Sequence, residues 1–280
     1  MKNKIVLITG GNAGVGKATA EGLARQGALV IIACRNADKA QSAVADIQAA
    51  TGNPQVSFLP LDLASFASIR ALVADFKATY PRLDVLINNA AALTSKFQMT
   101  QEGFEMQIGV NHLGHFLLTT ELLDRLAESD DPRVVNVSSE AHYNGKIRFE
   151  TFREAHPNYN VLAAYSQSKL ANVLFTKELG RRYPFLTTHA LHPGFVRSKL
   201  GYKASSWWVS LLWALARPMM VSTTKGAATS IYLATSPALK GTQGNYFDEK
   251  QQVKHAAKIA YDKALAHELW ERSLAWTQEF

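Results

Sequence analysis

The chain has 280 residues, and its 30 Lys and Arg residues outnumber 23 Asp and Glu residues, which gives a formal net charge of +7. Hydrophobic residues make up 47% and charged residues 19%, so a sizeable core is expected and a wholly disordered chain is excluded. The single cysteine, Cys34, excludes an internal disulfide and a cysteine-based metal cluster, and is typical of a reducing compartment. The positive charge suits a partner that carries phosphates, but does not distinguish nucleic acid, membrane surface and phosphorylated cofactor.

Short apolar runs alternate with longer helical patterns along the chain. The strand-like runs are 5–8, 28–33, 55–60, 85–87 and 134–137, and the helical patterns include 17–26, 38–50 and 163–180. The apolar runs show little polar alternation, which is typical of strands buried on both faces of a parallel sheet. Their alternation with helices predicts right-handed βαβ units. No linker or repeat divides the chain, so we predict an α/β fold with a single doubly wound domain over 1–280.

A glycine-rich turn follows the first strand-like run. Its glycines have a G-x-x-x-G-x-G spacing, which differs from the usual dinucleotide fingerprint G-x-G-x-x-G. Glycines let the backbone approach a pyrophosphate, and the N-terminus of the next helix supplies free N–H groups. We therefore expect the turn to bind a dinucleotide through Gly10, Asn12, Gly14, Val15 and Gly16. The alternative is a tight strand-to-helix turn with no ligand.

The ends of the second and third strands carry further cofactor signals. An acid that would hold a ribose 2′-hydroxyl is missing after the second strand, where Arg35 stands instead. A guanidinium there would pair with a 2′-phosphate, which favours NADP(H); the alternative is an ordinary surface arginine. Asp62 and Leu63 follow the third strand, where the carboxylate would meet the adenine amino group. Alternatively, Asp62 is the N-cap of a helix that starts near Ser65.

Tyr165 and Lys169 lie four positions apart in the helical pattern 163–180 and therefore share one helix face. A tyrosine has an ordinary pKa near ~10, so acid–base work at neutral pH needs stabilisation of its phenolate. A neighbouring ammonium group supplies that stabilisation. The pair is thus a candidate proton donor with its tuning residue. The alternative is a surface helix with an unrelated Tyr and Lys.

Several motifs occur in a fixed order, and together they resemble the short-chain dehydrogenase/reductase family. They are the glycine-rich turn, Asn88-Asn89-Ala90, Asn111, Val137-Ser138-Ser139, Tyr165 with Lys169, and Pro193-Gly194. The resemblance covers residues 5 to about 247. It implies a mostly parallel seven-stranded sheet of order 3-2-1-4-5-6-7 with helices on both faces. It also implies hydride transfer between a nicotinamide cofactor and a carbonyl or alcohol.

The resemblance assigns roles to four residues. Tyr165 would be the general acid in carbonyl reduction and the base in alcohol oxidation, and Lys169 would lower its pKa and hold the nicotinamide ribose. Ser139 would hydrogen-bond the substrate oxygen. Asn111 would hold a water that relays protons to Lys169, or else be a buried helix asparagine satisfied by backbone. The resemblance further implies cofactor contacts at Asn89, Ala90, Pro193, Gly194, Val196 and Ser198.

Two features depart from the usual family pattern. Ala91 stands where glycine is commoner, and Ser139 and Tyr165 are 26 positions apart, about twice the family's usual interval. The extra residues fall near 144–162. With the segments 139–142 and 164–175, this extension resembles the retinol dehydrogenase-like branch. That branch implies NADP(H)-preferring reductases of retinal and other lipophilic aldehydes or ketones, in agreement with Arg35.

Residues 199–224 stand where the family builds its substrate lid. Apolar residues at 208, 211, 212 and 215 have helical spacing, which favours a lipophilic substrate pocket. Alternatively, 207–216 makes a peripheral contact with a membrane, or is a buried helix or subunit contact, which leaves a homodimer open. The run 253–276 predicts one amphipathic C-terminal helix.

Other partners receive little support. His112 and His115 lack an acidic or cysteine partner at ligand spacing, so we expect partly buried helix residues and no metal. No nucleic-acid-binding motif or dense basic cluster is present. Residues 1–4 lead straight into a strand-like run, and no run approaches the ~18–20 apolar residues of a membrane span, so we expect a cytoplasmic protein.

The sequence thus predicts an NADP(H)-dependent oxidoreductase that interconverts lipophilic carbonyls and alcohols. One alternative is a non-catalytic protein that senses its cofactor, although such a protein has no need of all four of the catalytic residue types. Another is an enzyme similar to protochlorophyllide reductase, a family that relies on several cysteines where this chain has one.

Overall fold

The computed structural model describes residues 1–154, 159–196 and 221–280. Within them, eight strands form one sheet in the order β3-β2-β1-β4-β5-β6-β7-β8. The strands are β1 Ile5–Thr9, β2 Leu29–Cys34, β3 Val56–Pro60, β4 Val85–Asn88, β5 Arg133–Val137, β6 Thr187–Leu191, β7 Gln243–Phe247 and β8 Val253–Lys254. Neighbouring strands are parallel except β8, which runs antiparallel to β7. The predicted fold class and the order 3-2-1-4-5-6-7 are confirmed, and β8 adds a short edge strand.

The strands are apolar throughout because both faces of the sheet are covered. In β1, Leu7 belongs to the core on one face, whereas Val6 and Ile8 belong to the core on the other face. Successive side chains of a strand point to opposite faces, so burial on both sides removes the polar alternation of a half-exposed strand.

Helices cover each face in a separate layer. The helices are α1 Gly14–Ala24, α2 Ala37–Thr51, α3 Phe66–Thr79, α4 Met106–Ile108, α5 Gly114–Glu121, α6 Leu123–Ala127, α7 Val161–Arg182, α8 Thr223–Thr235 and α9 Lys263–Gln278. Apolar residues of α1, α2 and α8 pack on one face of the sheet, and those of α3, α5, α7 and α9 pack on the other. Polar caps define several starts: the side chains of Asn36 and Asn160 accept backbone N–H groups at the N-termini of α2 and α7.

The C-terminal helix differs from the prediction of one helix over 253–276. It begins at Lys263, because the side chain of Asp262 accepts the N–H of Leu265 at 3.0 Å and caps the helix there. The preceding residues form β8 and the 3₁₀ turn Lys258–Tyr261. The amphipathic pattern therefore covers a strand, a turn and a helix rather than one helix.

The predicted lid 199–224 lies mostly outside the described residues, as does the proposed membrane or subunit contact 207–216. Its described end carries Val221, which forms an isolated parallel bridge with Val196, and the first residues of α8. Among the described helices, none is long and apolar enough to cross a membrane.

The sheet topology fixes where a ligand would bind. β1 lies between β2 and β4, so the direction of strand addition reverses there, and a crevice opens outside the carboxyl ends of the strands. The predicted site segments follow β1, β2, β4, β5 and β6, and therefore meet at this one edge.

Candidate active site

The glycine-rich turn after β1 packs tightly against the end of β4. Thr9 Oγ1 accepts the N–H groups of Asn89 and Ala90, each at 2.9 Å, and Asn89 Nδ2 donates to Thr9 O at 2.8 Å. A Cβ added to Gly16 would lie 2.4 Å from Gly10 O, so only glycine fits at this position. Gly10 also has a φ of 67°, in the left-handed region that favours glycine.

A cleft of about 670 Å³ opens beside this turn, across the ends of β3, β2, β1 and β4. Six predicted cofactor residues line it: Gly10, Asn12, Arg35, Asp62, Leu63 and Ala90. Other lining residues were not predicted as contacts, among them Asn36, Lys39 and the segment 91–95. Gly14, Val15 and Gly16 form the start of α1, and Asn89 directly follows β4. The cleft thus joins residues that are far apart in the chain.

Two cations stand at the β2 end of the cleft. Arg35 and Lys39 are exposed, and within the described residues neither forms an ion pair. The Asn36 side chain accepts the N–H of Lys39 at 2.8 Å, which fixes the first turn of α2. Lys39 was not predicted from the sequence, although its position four residues after Arg35 at a helix start was a usable signal.

Asp62 is not the N-cap of α3. Ser65 has that position, and its Oγ accepts the N–H of Ser68 at 3.3 Å. Asp62 Oδ1 instead accepts the N–H of Ala64 at 3.0 Å, which tightens the turn after β3. Its carboxylate lines the cleft, where the adenine contact was predicted.

Ser139, Tyr165 and Lys169 meet where β5 ends beside α7. The Ser139 hydroxyl lies close enough to the Tyr165 phenol to lower its pKa. Lys169 Nζ lies 5.7 Å from the centroid of the Tyr165 ring and donates to Val137 O at 3.0 Å. Ser138 Oγ donates to Lys169 O at 2.7 Å, which holds α7 against the end of β5. The three predicted catalytic side chains are therefore brought together.

Burial controls the pKa values of this pair. Burial raises the pKa of Tyr165 to about 12, against the smaller lowering effect of the hydrogen bond with Ser139. Lys169 is 1% exposed, and burial lowers its pKa to about 8. Lys169 was predicted to lower the pKa of Tyr165, but the net shift of that pKa is upward. Desolvation dominates, and the lysine donates to a backbone carbonyl.

Asn111 lies in a π-helical turn, Gly109–Leu113, between α4 and α5. Its Oδ1 accepts the N–H of Ala92 at 2.7 Å, and its Nδ2 donates to Ala92 O at 3.0 Å and to Ser168 Oγ at 2.9 Å. These bonds satisfy the side-chain amide, as the alternative interpretation predicted. They also tie the cleft wall to the residue next to Lys169, and the proton-relay role stays a prediction.

Residues 193–196 run beside the glycine-rich turn. A Cβ added to Gly226 would lie 2.6 Å from Val196 Cγ2, 3.2 Å from Val15 Cγ2 and 3.3 Å from Pro193 O, so these groups surround one point. Gly194 has a φ of 78°. This segment therefore adjoins the predicted pyrophosphate-binding turn.

Ser198, the last predicted cofactor contact, lies outside the described residues. Glu249, whose Oε2 lies 3.3 Å from His192 Nε2, was not predicted from the sequence either. Its signal was the charged sequence Asp248-Glu249-Lys250 directly after a buried strand.

The two helix histidines are fully buried rather than partly buried. Nε2 of His115 is 2.9 Å from Thr9 Oγ1, and Nε2 of His112 is 2.9 Å from Ser273 Oγ. Burial lowers the pKa of His112 to about 3 and that of His115 to about 4. Both are thus neutral residues that join α5 and the π-helical turn to neighbouring elements.

The chain is similar in sequence to known proteins over most of its length. The family model for short chain dehydrogenases matches residues 4–208. Retinol dehydrogenase 12 of Bos taurus is 47% identical over 272 residues, which cover 96% of this chain and 85% of the relative. Retinol dehydrogenase 13 of Homo sapiens is 44% identical over 276 residues, which cover 96% and 83%.

Solved structures show the same fold. An uncharacterized protein from Mycobacterium paratuberculosis has a TM-score of 0.79 and 35% identity, over 99% of this chain and 94% of that chain. A short chain dehydrogenase from Shigella flexneri, complexed with NADP, has a TM-score of 0.70 and 23% identity, over 89% and 98%. The chain is therefore an oxidoreductase of the short-chain dehydrogenase/reductase family and belongs to its retinol dehydrogenase-like branch.

Proposed function

We propose that the protein is an NADP(H)-dependent oxidoreductase that interconverts a lipophilic aldehyde or ketone and its alcohol. The observation that carries the proposal is the Ser139 hydroxyl beside the Tyr165 phenol, with buried Lys169 one helical turn further along α7 and its Nζ 5.7 Å from the Tyr165 ring centroid. A hydroxyl pair of this kind can hold a carbonyl oxygen and supply a proton to it.

The residues of the cleft fit a dinucleotide. Gly10 and Gly16 let the turn pack tightly, because a Cβ at either position would press on Ala90 or on Gly10 O. Phosphate oxygens can then meet the N–H groups at the N-terminus of α1. Arg35 and Lys39 stand at the β2 end with no ion-pair partner among the described residues, which suits a 2′-phosphate. Asp62 would accept a hydrogen bond from the adenine amino group. When bound, the nicotinamide supplies or accepts the hydride.

Tyr165 would handle the proton at its phenolic oxygen. With a pKa of about 12 the phenol is protonated at neutral pH, so the side chain is ready to act as an acid in carbonyl reduction. Ser139 would hold the substrate oxygen beside it. Lys169, whose own pKa is lowered to about 8, would bind the nicotinamide ribose and lower the pKa of the Tyr165 phenol in the cofactor-bound enzyme.

The substrate class rests on the relatives and on the sequence of the expected lid. The relatives are named retinol dehydrogenases, and retinal is a long apolar aldehyde. The run 207–216 is rich in tryptophan and leucine, which favours a lipophilic partner.

The test is consumption of NADPH with a panel of lipophilic aldehydes and ketones that includes all-trans-retinal, repeated with NADH. We expect turnover with NADPH and far less with NADH. Tight NADPH binding without turnover of any panel member would instead support the cofactor-sensing alternative. Equal turnover with both cofactors would contradict the NADP(H) preference and leave the reductase activity standing.

A further inference from the structure

His192 is the first residue after β6, and its imidazole closes the turn that follows. The residue is 3% exposed, and its backbone N–H donates to Phe247 O at 3.0 Å. His192 Nδ1 accepts the N–H of Gly194 at 3.2 Å. An imidazole nitrogen that accepts a hydrogen bond carries no proton, so the proton of the neutral ring is on Nε2. The left-handed backbone of Gly194 is therefore held by one tautomer of one histidine.

Two carboxylates face the other ring nitrogen. Nε2 lies 3.3 Å from Glu249 Oε2 and 3.7 Å from Glu140 Oε1, and it makes no hydrogen bond to the described residues. A Cβ added to Gly194 would lie 3.2 Å from Glu249 Cβ, so Glu249 also packs on the turn itself. Glu140 is the residue after Ser139.

We infer that His192 is a positioning residue for the nicotinamide side of the cofactor site: the neutral imidazole holds the 193–196 turn in place, and protonation of Nδ1 releases it. A protonated Nδ1 is a hydrogen-bond donor and cannot accept the N–H of Gly194, so the hydrogen bond that closes the turn would be lost. The inference rests on the proposed NADP(H) function, because it needs a cofactor that spans the cleft and reaches this turn.

The groups around His192 determine the pH at which its imidazole is protonated. The turn after β5 contributes Glu140 and His142, and the end of β7 contributes Tyr246, Asp248 and Glu249, while β8 contributes Lys254. Burial has the largest effect and lowers the pKa of His192 below its ordinary value, whereas the carboxylates oppose this shift. The ring is therefore neutral at physiological pH. Its hold on the turn is complete above the ordinary histidine pKa and is lost as the pH falls through the lowered value.

Two substitutions test the roles of the two ring nitrogens of His192 one at a time. His192→Asn places an oxygen near the position of Nδ1, so it can still accept the N–H of Gly194, but it does not titrate. His192→Gln reaches toward the position of Nε2 and loses the acceptor for Gly194. A merely structural role would make both variants similar in thermal stability and in ligand binding.

The experiment is calorimetric titration of wild type and both variants with NADPH between about pH 8 and pH 5. Adenosine 2′,5′-bisphosphate is the matched control ligand, because it has the 2′-phosphate but lacks the nicotinamide half. The pH dependence that both ligands share comes from that phosphate and its partners. The ratio of the two affinities removes this shared dependence, and comparison of wild type with His192→Asn separates the effect of His192 from that of Lys169, which titrates on the nicotinamide side as well.

We expect the wild-type ratio to fall by roughly five- to tenfold toward acid pH, as for the loss of one hydrogen bond. His192→Asn keeps the high ratio across the range, and His192→Gln has the low ratio at every pH. A wild-type ratio that does not change with pH, or a His192→Gln ratio equal to wild type at pH 8, overturns the inference and leaves the cofactor proposal intact. Failure of wild type to bind either ligand overturns both.

Discussion

The proposed adenosine end of the site, with Arg35 and Lys39, and the proposed catalytic end, with Tyr165 and Lys169, differ in how they expose charged and titratable groups. At the adenosine end, Arg35 and Lys39 are exposed and form no ion pair within the described residues. At the catalytic end, Lys169 is buried and has a pKa lowered to about 8, while burial raises the pKa of Tyr165 to about 12. The first end keeps its cations exposed, whereas the second buries its lysine and partly buries its tyrosine.

The difference fits the proposed roles of the two ends. A phosphate can be met by hydrated cations, because recognition needs charge and reach but no change of protonation state. Proton transfer needs groups whose protonation depends on the environment, and burial provides that dependence by disfavouring both the phenolate and the ammonium. Changes at the catalytic end should therefore alter turnover, and changes at the adenosine end should alter affinity and cofactor choice.

The sharpest test of the comparison is Tyr165→Phe. It removes the phenolic oxygen and keeps the ring, so we expect kcat to fall by about 10²–10⁴-fold, the usual contribution of a positioned acid–base group. NADPH affinity, measured by calorimetry, should stay within a few-fold of wild type. Retained turnover would show that Tyr165 does not handle the proton. A large loss of NADPH affinity would show that the two ends are not separable.

Gly16→Ala should damage the shared turn between the two ends. The new Cβ would lie 2.4 Å from Gly10 O and 2.5 Å from Asn89 Nδ2, so backbone must move, and overpacking of this kind costs about 1–3 kcal/mol. We expect a lower free energy of unfolding in urea and weaker binding of both NADPH and NADH.

Gly22→Ala is the matched control in the same helix, α1. Its new Cβ would meet only the side chain of Ile231, at 2.3 Å from Cδ1, and that side chain can move. NADPH affinity should be unchanged in this variant. If Gly22→Ala weakened cofactor binding as much as Gly16→Ala, the effect would come from α1 packing rather than from the turn.

Arg35→Asp should change cofactor choice and leave the chemistry intact. It removes a partner for the 2′-phosphate and adds an acceptor for a 2′-hydroxyl. A hydrogen bond to a charged group contributes about 1.5–3 kcal/mol, so the ratio of kcat/KM for NADPH over NADH should fall by at least about tenfold. Lys39→Gln should move the same ratio in the same direction by less. An unchanged ratio in both variants would show that neither Arg35 nor Lys39 determines the choice between NADPH and NADH.

The first five strands and the glycine-rich turn were accessible from sequence because they depend on local patterns, and the strand order was accessible through the resemblance that the order of motifs carries. The His192–Glu249 contact was not, because it joins residues far apart in the chain that only β6 and β7 bring together. The net direction of the Tyr165 pKa shift was also inaccessible. Spacing shows that Lys169 shares a helix face, whereas the dominant effect is the burial that tertiary structure imposes.

The smallest expected effect concerns a residue remote from both ends. Asp262→Ala removes the side chain that accepts the N–H of Leu265 at the start of α9, and loss of such a cap costs about 1 kcal/mol. The midpoint of urea unfolding should fall, while kcat, NADPH affinity and the NADPH-to-NADH ratio should remain those of wild type. The same position explains why the helix begins at Lys263 although the amphipathic pattern starts ten residues earlier, since a carboxylate there satisfies an N–H group that the first helical turn leaves unpaired. Asp262→Asn retains an acceptor oxygen and should restore most of the lost stability. If Asp262→Ala changed kcat or cofactor choice, the start of α9 would be coupled to the site. That result would contradict the expectation that this cap affects stability alone.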